Sequence, residues 1–138
     1  STRKPIGRSS EHMSQRRYSR DHEWVELDGE IATIGISTYA VNELGDIIFV
    51  ELPEVGSDLG AGDKLAVVES VKAASDVYAP IAGVVEEVND ELADDSALLN
   101  EDPEGGAWMA KLRVNDPSEF DALMGAAEYE AYLKEAGH

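Results

Sequence analysis

The chain has 138 residues, a length that suits a single domain with a modest hydrophobic core. Its 29 acidic residues outnumber 11 basic ones, and the net charge of −18 argues against nucleic acid or an anionic membrane surface as a partner, because both bind clustered lysine and arginine. The sequence has no cysteine, which excludes disulfides, thiolate metal sites and a cysteine nucleophile.

The N-terminal segment differs in composition from the rest of the chain. Its first 20 residues hold six of the 11 basic residues, one acidic residue and no apolar periodicity. The pair His12-Met13 is typical of a cloning junction, so we predict that residues 1–17 are a disordered leader or a tag-derived tail. A native disordered tail and a transit-peptide remnant are the other interpretations. Residues 18–138 are then expected to form one domain.

Short apolar runs separated by turn residues predict a mainly β fold with about seven strands. The predicted strands are residues 22–27, 31–36, 46–52, 65–70, 73–78, 83–88 and 108–114. A faint repeat of Gly-led strands, 45–50 and 83–88, flanks a central hairpin and predicts two small antiparallel sheets packed face to face. Residues 89–106 are acidic and rich in turn residues, and they are predicted to be loops.

Helices are predicted at two places outside these strands. Ser37 or Thr38 can cap a short internal helix that ends at Gly45. Asp116, followed by proline, is typical of a helix start, and apolar residues at helical spacing predict C-terminal helices within residues 117–136. The predicted fold class is therefore α+β, with β structure dominant.

Lys72 lies at the tip of the predicted hairpin between residues 65–70 and 73–78. A lysine in a turn is usually only a solvated charge. From residue 21 onward, however, five basic residues stand against 28 acidic ones, and Lys72 lies in the least acidic part of the middle region. A lysine on such a narrow, stiff support can be held by a modifying enzyme, so this is where we expect a covalently attached swinging cofactor.

Other conspicuous residues predict structure more than chemistry. Gly83 is expected at a backbone position with unusual dihedral angles, and Gly35 inside a strand predicts a bulge or a close approach. Trp24 and Phe49 are expected in the core. The sequence has three histidines, two of them near the termini, so neither a metal site nor a catalytic triad is predicted.

Several motifs, taken together and in order, resemble the H-protein family of the glycine cleavage system, which are lipoyl carriers, over some 115 residues from Tyr18 to Leu133. The matching segments are His22-Glu23-Trp24-Val25, Ile34-Gly35-Ile36, Leu44-Gly45-Asp46-Ile47-Ile48-Phe49-Val50-Glu51-Leu52-Pro53, Glu69-Ser70-Val71-Lys72-Ala73-Ala74-Ser75-Asp76, Ala79-Pro80-Ile81-Ala82-Gly83, Val88-Asn89 and Leu99-Asn100-Glu101-Asp102-Pro103. One departure follows Pro103, where the family usually has an aromatic residue before glycine and this chain has Glu104. It leaves open only the local shape around Trp108.

The resemblance implies a lipoyl/biotinyl barrel-sandwich hybrid with extra helices, in which Lys72 carries lipoate in amide linkage. It implies a shuttle that catalyses nothing itself. The implied enzyme partners are a glycine decarboxylase that uses pyridoxal phosphate and supplies an aminomethyl group, and an aminomethyltransferase that passes its carbon to tetrahydrofolate. The FAD-containing dihydrolipoyl dehydrogenase then reoxidises the dithiol. A lipoate ligase or an octanoyltransferase is implied for attachment of the cofactor.

Acidic residues near the lysine suggest how a loaded arm could be protected. Carboxylates beside a bound amine favour its charged form and so suppress hydrolysis. We hypothesise that Glu23 and Asp76 do this, helped by Asp21, because Asp76 lies four residues after Lys72 and Glu23 lies in the matching His-Glu-Trp segment. The alternative is that these are solvated surface acids. Glu69 and Asp76 are also expected to be recognised by the lipoylating enzyme.

Other carrier functions share this fold and stay open at the level of sequence. A biotin carrier typically has methionines beside its lysine, where this chain has Val71 and Ala73. A lipoyl domain of a 2-oxoacid dehydrogenase typically has Asp before the lysine. An H-like lipoyl donor or a regulatory scaffold would keep the family and change the role. We expect a monomer in the bacterial cytosol, with the mitochondrial matrix as the alternative compartment.

Overall fold

The structure is a computed structural model, and it describes residues 15–135. These residues form nine strands and five short helices. The strands are β1 (Gln15–Tyr18), β2 (Glu23–Asp28), β3 (Ile31–Ile36), β4 (Ile47–Glu51), β5 (Asp58–Leu59), β6 (Lys64–Ser70), β7 (Ala74–Tyr78), β8 (Gly83–Val88) and β9 (Ala110–Val114). The helices are α1 (Thr38–Leu44), α2 (Asp90–Asp94), α3 (Leu98–Glu101), α4 (Ser118–Asp121) and α5 (Ala126–Glu135).

The strands form two antiparallel sheets, which confirms the predicted mainly β fold. One sheet has six strands in the order β1-β2-β3-β9-β8-β5, and the other has three in the order β4-β6-β7. The two Gly-led strands of the sequence repeat, β4 and β8, belong to different sheets. All strand pairs are antiparallel.

The main core is a continuous cluster of mainly aliphatic side chains contributed by both sheets and by α1–α4. Its fully buried members include Ile34, Val68, Ile81, Val85 and Leu112. Burial of each such side chain contributes about 1.5–3 kcal/mol to folding. Because strand side chains alternate between faces, these residues fix the register of the two sheets around the hairpin that carries Lys72.

A second, smaller cluster fixes the C-terminal helix to the six-stranded sheet. Its buried members are Tyr18, Trp24 and Tyr129. A Cβ atom at Gly35 would lie 2.8 Å from the indole of Trp24, so only glycine leaves room for this ring. The close approach predicted for Gly35 is thereby confirmed.

The short internal helix α1 has the ends that its sequence predicts. Ser37 Oγ accepts a hydrogen bond from the amide of Ala40 at 3.2 Å, as an N-cap residue does. Gly45 follows the helix with φ of 82°, and its amide donates to the carbonyl of Val41 at 2.9 Å. Glycine is favoured at this position because other residues rarely adopt a positive φ.

Several sequence-based predictions differ from the structure. Gln15–Tyr18 forms β1, so the expected boundary of the leader at residue 17 falls inside a strand. Residues 89–106 contain the helices α2 and α3, which are too short to show apolar periodicity. Phe49 is 49% exposed and lies outside the core. Gly83 is needed for packing, because a Cβ atom there would lie 2.6 Å from the carbonyl oxygen of Arg113.

Among residues 15–135, no helix combines the length and the apolar character that crossing a membrane would require.

Candidate functional site

The turn that carries Lys72 is held by one buried serine. The amide of Ser70 donates to the carbonyl of Ala73 at 2.8 Å, which closes the turn between β6 and β7. The hydroxyl oxygen of Ser70 accepts from the amides of Lys72 at 3.1 Å and Ala73 at 3.2 Å. The amide of Val71 donates to the carbonyl of Asp46 at 3.0 Å, so the turn is also attached to the segment before β4. These bonds hold the backbone of Lys72 on a defined support.

The side chain of Lys72 is exposed and extends towards α1. Its Nζ donates a hydrogen bond to the main-chain carbonyl of Glu43 at 3.2 Å. Glu43 lies in the last turn of α1, where carbonyl oxygens have no partner within the helix and a cation is favoured. The lysine amine is therefore positioned at the C-terminal end of this helix.

A cleft of about 290 Å³ opens between α1, β7 and the turn that precedes β2. It is lined by Asp21, His22, Tyr39, Ala40, Glu43, Leu44 and Ser75. Glu43 is thus both a wall of the cleft and the hydrogen-bond partner of Lys72. The cleft combines two carboxylates with aromatic and aliphatic surface, which suits a ligand that has an apolar stem and a cationic end.

Glu23 directly follows His22, which lines the cleft. The carboxyl group of Glu23 is buried, and the residue is only 2% exposed. Its Oε1 accepts from the hydroxyl of Ser19 at 2.6 Å, and its Oε2 accepts from the amide of Tyr78 at 3.2 Å. Burial raises the pKa of Glu23 to about 7, with a smaller raising effect from the charge of Asp21, while the two hydrogen bonds oppose the shift. Glu23 can therefore gain or lose a proton near neutral pH.

The structure places the predicted site residues at different positions around the lysine. Asp21 lines the cleft, and Glu23 lies behind it, bonded to β7. Asp76 is exposed on β7 directly after Ser75, which lines the cleft, and alternation along the strand directs the two side chains to opposite faces. Glu69 is half-buried on β6, beside the turn.

The cleft also contains residues that the sequence did not predict as site residues. Tyr39, Ala40, Glu43 and Leu44 lie on α1, with spacings that put them on one face of the helix. This spacing was readable from the sequence, but nothing in the pattern showed that the face is turned towards Lys72. His22 and Ser75 are brought in by tertiary packing alone.

Within the part of the chain that the structure describes, no cluster of three or more His, Asp or Glu side chains is arranged to hold a metal ion.

The fold and the site together define a carrier domain of the lipoyl or biotinyl class, because a small antiparallel sandwich presents an exposed lysine on a braced turn. The chain matches the family model for the glycine cleavage H-protein over residues 16–136, and it belongs to that family. The family consists of lipoyl-bearing carrier components of the glycine cleavage system, and this chain has the role of a lipoyl carrier in glycine cleavage.

Individual relatives agree with this assignment. The chain is 56% identical over 117 residues to the glycine cleavage system H protein of Phenylobacterium zucineum, covering 85% of this chain and 97% of the relative. It is 54% identical over 121 residues to the protein of the same name from Acidiphilium cryptum, covering 88% and 98%. The crystal structure of a glycine cleavage system H protein from Mycobacterium marinum superposes with a TM-score of 0.75 at 34% identity, covering 90% of this chain and 98% of that one.

Proposed function

We propose that this protein is the lipoyl-bearing shuttle of a glycine cleavage system and that Lys72 is the attachment site. The observation that carries the proposal is the position of Lys72, which is exposed on a braced turn with its Nζ bonded to a wall of the cleft. A bound lipoyl group supplies a dithiolane that takes up an aminomethyl group and undergoes reversible reduction. The protein itself then contributes position and protection, and no catalytic step is assigned to it.

The cleft beside Lys72 fits such an arm. Ala40 and Leu44 provide aliphatic surface for methylene groups and sulfur, and Asp21 provides a carboxylate for an amine. The volume of about 290 Å³ is close to the lower end of pockets for small molecules, roughly 300 Å³. The cleft adjoins Lys72, so an arm attached there needs no rearrangement of the sheets to enter it.

Glu23 and Asp21 are proposed to keep a bound amine charged. A cation in the cleft favours the ionised form of a nearby carboxyl group, and Glu23, with its pKa of about 7, is easily converted to that form. An ammonium has no free electron pair with which to expel sulfur, so holding the amine in this form protects it from hydrolysis. Asp76 points away from the cleft lining, and we assign it, with Glu69, to recognition by the lipoylating enzyme.

Exposed apolar side chains surround the lysine and provide a docking face for enzyme partners. Val71 is 65% exposed beside Lys72, and Ile48 and Phe49 are 58% and 49% exposed on the neighbouring β4. The net charge of −18 favours partners with basic surface. The partners proposed are glycine decarboxylase, aminomethyltransferase, dihydrolipoyl dehydrogenase and a lipoate ligase or octanoyltransferase. The bacterial origin of the relatives favours the bacterial cytosol over the mitochondrial matrix.

The attachment site is tested by intact mass after co-expression with a lipoate ligase in the presence of lipoate. We expect one lipoyl increment, which peptide mapping assigns to Lys72 and which Lys72→Arg abolishes. Lys64→Arg is the matched control, because Lys64 is an exposed lysine at the first residue of β6, the strand that leads to the turn carrying Lys72, and it should keep the increment. The lipoylated protein should then support glycine decarboxylation by a glycine decarboxylase, and the Lys72→Arg protein should not.

Other outcomes of this experiment separate the alternatives. An increment on a different lysine, or none, would overturn the assignment of Lys72. A biotinyl increment obtained with a biotin ligase, and no lipoyl increment, would identify a biotin carrier. Lipoylation of Lys72 without any support of glycine decarboxylation would favour a lipoyl donor or a regulatory scaffold.

A further inference from the structure

Tyr129 connects the C-terminal helix to the surroundings of Lys72. It is only 5% exposed, yet its hydroxyl oxygen lies 2.7 Å from Nδ1 of His22 and 2.8 Å from Oγ of Ser37. Neither partner is near Tyr129 in sequence. A buried hydroxyl with two side-chain partners from separate elements is a feature that packing of the helix alone does not require.

The two partners of Tyr129 belong to the two sides of the cleft. His22 lines the cleft from the turn that precedes β2, and Ser37 caps α1, which supplies the opposite side. The backbone joins the same two points, because the amide of Ser37 donates to the carbonyl of His22 at 2.8 Å. His22 has a φ of 70°, a conformation that is uncommon for a non-glycine residue.

The aromatic ring of Tyr129 is itself held firmly. It stacks on the ring of Tyr18, with centroids 4.5 Å apart and planes inclined by 3°. Burial raises the pKa of Tyr129 above its ordinary value, which keeps its hydroxyl protonated at neutral pH. That hydroxyl has one proton, so it donates to one neighbour and accepts from the other. Both neighbours are therefore bonded through a single atom of fixed position.

We propose that Tyr129 is a positioning residue for the arm cleft, since its hydroxyl joins His22 on one side to the N-cap Ser37 of α1 on the other. The proposal rests on the proposed function, in which this cleft receives the arm attached to Lys72. It gives α5 a role beyond covering the sheet: the helix sets the distance between the sides of the cleft. Removal of the hydroxyl is expected to loosen α1 and the turn at His22 without unfolding the sandwich.

The test is Tyr129→Phe, which keeps the ring and its stacking and removes only the hydroxyl. The first readout is amide hydrogen exchange measured by NMR on the lipoylated full-length protein. The amide of Ser37 donates to the carbonyl of His22, and the amide of Val41 donates to the carbonyl of Ser37. We expect exchange at both amides to become about five- to tenfold faster. Exchange at the core amides of Val85 and Leu112 should stay unchanged, whereas a purely structural loss of stability would accelerate all of them.

Tyr132→Phe is the matched control, because it makes the same change on the same helix. The hydroxyl of Tyr132 donates to the backbone carbonyl of Arg20 at 3.3 Å, and its removal leaves both hydrogen bonds of the Tyr129 hydroxyl in place. We expect little change in exchange at α1 in this variant. The second readout is the lifetime of the methylamine-loaded protein, in which the lipoyl arm carries the aminomethyl group. This lifetime should shorten severalfold in Tyr129→Phe and stay the same in Tyr132→Phe.

The outcomes distinguish this inference from the proposed function. Unchanged exchange at Ser37 and Val41 in Tyr129→Phe would overturn the positioning role, even if Lys72 is lipoylated normally. Faster exchange that is uniform across the sandwich would overturn it as well. If Lys72 is not lipoylated in the wild-type protein, the proposed function fails. Exchange measured on the unlipoylated protein then still decides whether Tyr129 holds α1 to His22.

Discussion

At the scale of single residues, the carboxyl group of Glu23 is buried, and this makes its ionisation sensitive to pH. Its pKa in the folded protein is about 7, against 4.5 in the unfolded chain. Between these values the folded state keeps a proton that the unfolded state has released, so the contribution of Glu23 to stability falls as pH rises through this window. Over the full window the loss is about 3 kcal/mol.

This predicts a pH-dependent effect of Glu23→Gln. The glutamine amide has the shape of the protonated carboxyl group and does not ionise. Between pH 5 and pH 8, the free energy of unfolding of the variant should therefore rise by about 2–3 kcal/mol relative to that of the wild-type protein. The measurement is the free energy of unfolding from urea titrations at each pH. Glu87→Gln, at an exposed position on β8, is the control for the same substitution outside the core.

A constant difference for Glu23→Gln across this pH range would contradict the buried state of the carboxyl group. The same variant tests its proposed functional role separately. If Glu23 protects a bound amine, the methylamine-loaded form of Glu23→Gln should hydrolyse faster at pH 7. The free energy of unfolding and the lifetime of the loaded form can change in opposite directions. Burial of the charged carboxylate destabilises the fold, whereas the same charge protects the bound aminomethyl group.

At the scale of elements, α1 is held at its N-terminus by a residue from a distant loop. Glu104 Oε2 accepts from the amide of Thr38, the first residue of α1, at 2.8 Å, and its Oε1 accepts from the hydroxyl of Tyr18 at 2.7 Å. The helix has no acidic residue of its own in the first turn, so Glu104 supplies the negative charge that a helix N-terminus favours. Arg16 Nη1 lies 3.5 Å from the same carboxylate.

This arrangement predicts that Glu104→Ala lowers the free energy of unfolding by about 2 kcal/mol, as loss of a helix cap with further hydrogen bonds does. The pKa of Tyr18, raised to about 12 by burial and then by Glu104, should fall in the variant. Urea titration measures the first effect and ultraviolet titration of tyrosinate measures the second. Glu101→Ala, on the exposed surface of α3, should change neither, and equal effects of the two substitutions would contradict the role of Glu104.

The elements differ in how far their sequences predict them. Alternation predicted β3 at residues 31–36, the break at Pro80 followed by a Gly-led apolar run predicted β8 at residues 83–88, and the cap and stop signals predicted α1. The two-residue strand β5 and the helices α2 and α3 were missed, because pairing with β8 and packing under the sandwich stabilise segments too short to show a period. Glu104 was visible only as a departure from the family pattern, since its partners lie 66 and 86 residues away.

At the scale of the whole molecule, the sequence predicted Lys72, the two sheets and Asp21 beside a bound arm, but not the walls of the cleft that α1 provides. A lysine between two predicted strands indicates a hairpin tip, and the Gly-led repeat predicts two sheets. The cleft depends on which face of α1 turns towards Lys72 and on a C-terminal helix that reaches back to His22. Both features result from tertiary packing of α1 and α5, and local sequence patterns do not predict it.

The net charge of −18 predicts a general effect of salt on folding. Compaction brings like charges together, and screening reduces that repulsion. The ion pair between Arg16 Nη2 and Glu26 Oε1, at 2.7 Å, is partly exposed and opposes the repulsion by only about 0–1 kcal/mol.

Raising sodium chloride from about 0.02 M to about 0.5 M, where the screening length falls well below 10 Å, should therefore raise the urea midpoint. The dependence of stability on urea should keep its slope. Sorbitol at equal osmolality controls for general exclusion of solute, and it should give a smaller increase. A midpoint that falls with salt would mean that ion pairs such as Arg16–Glu26 outweigh the repulsion among the acidic side chains.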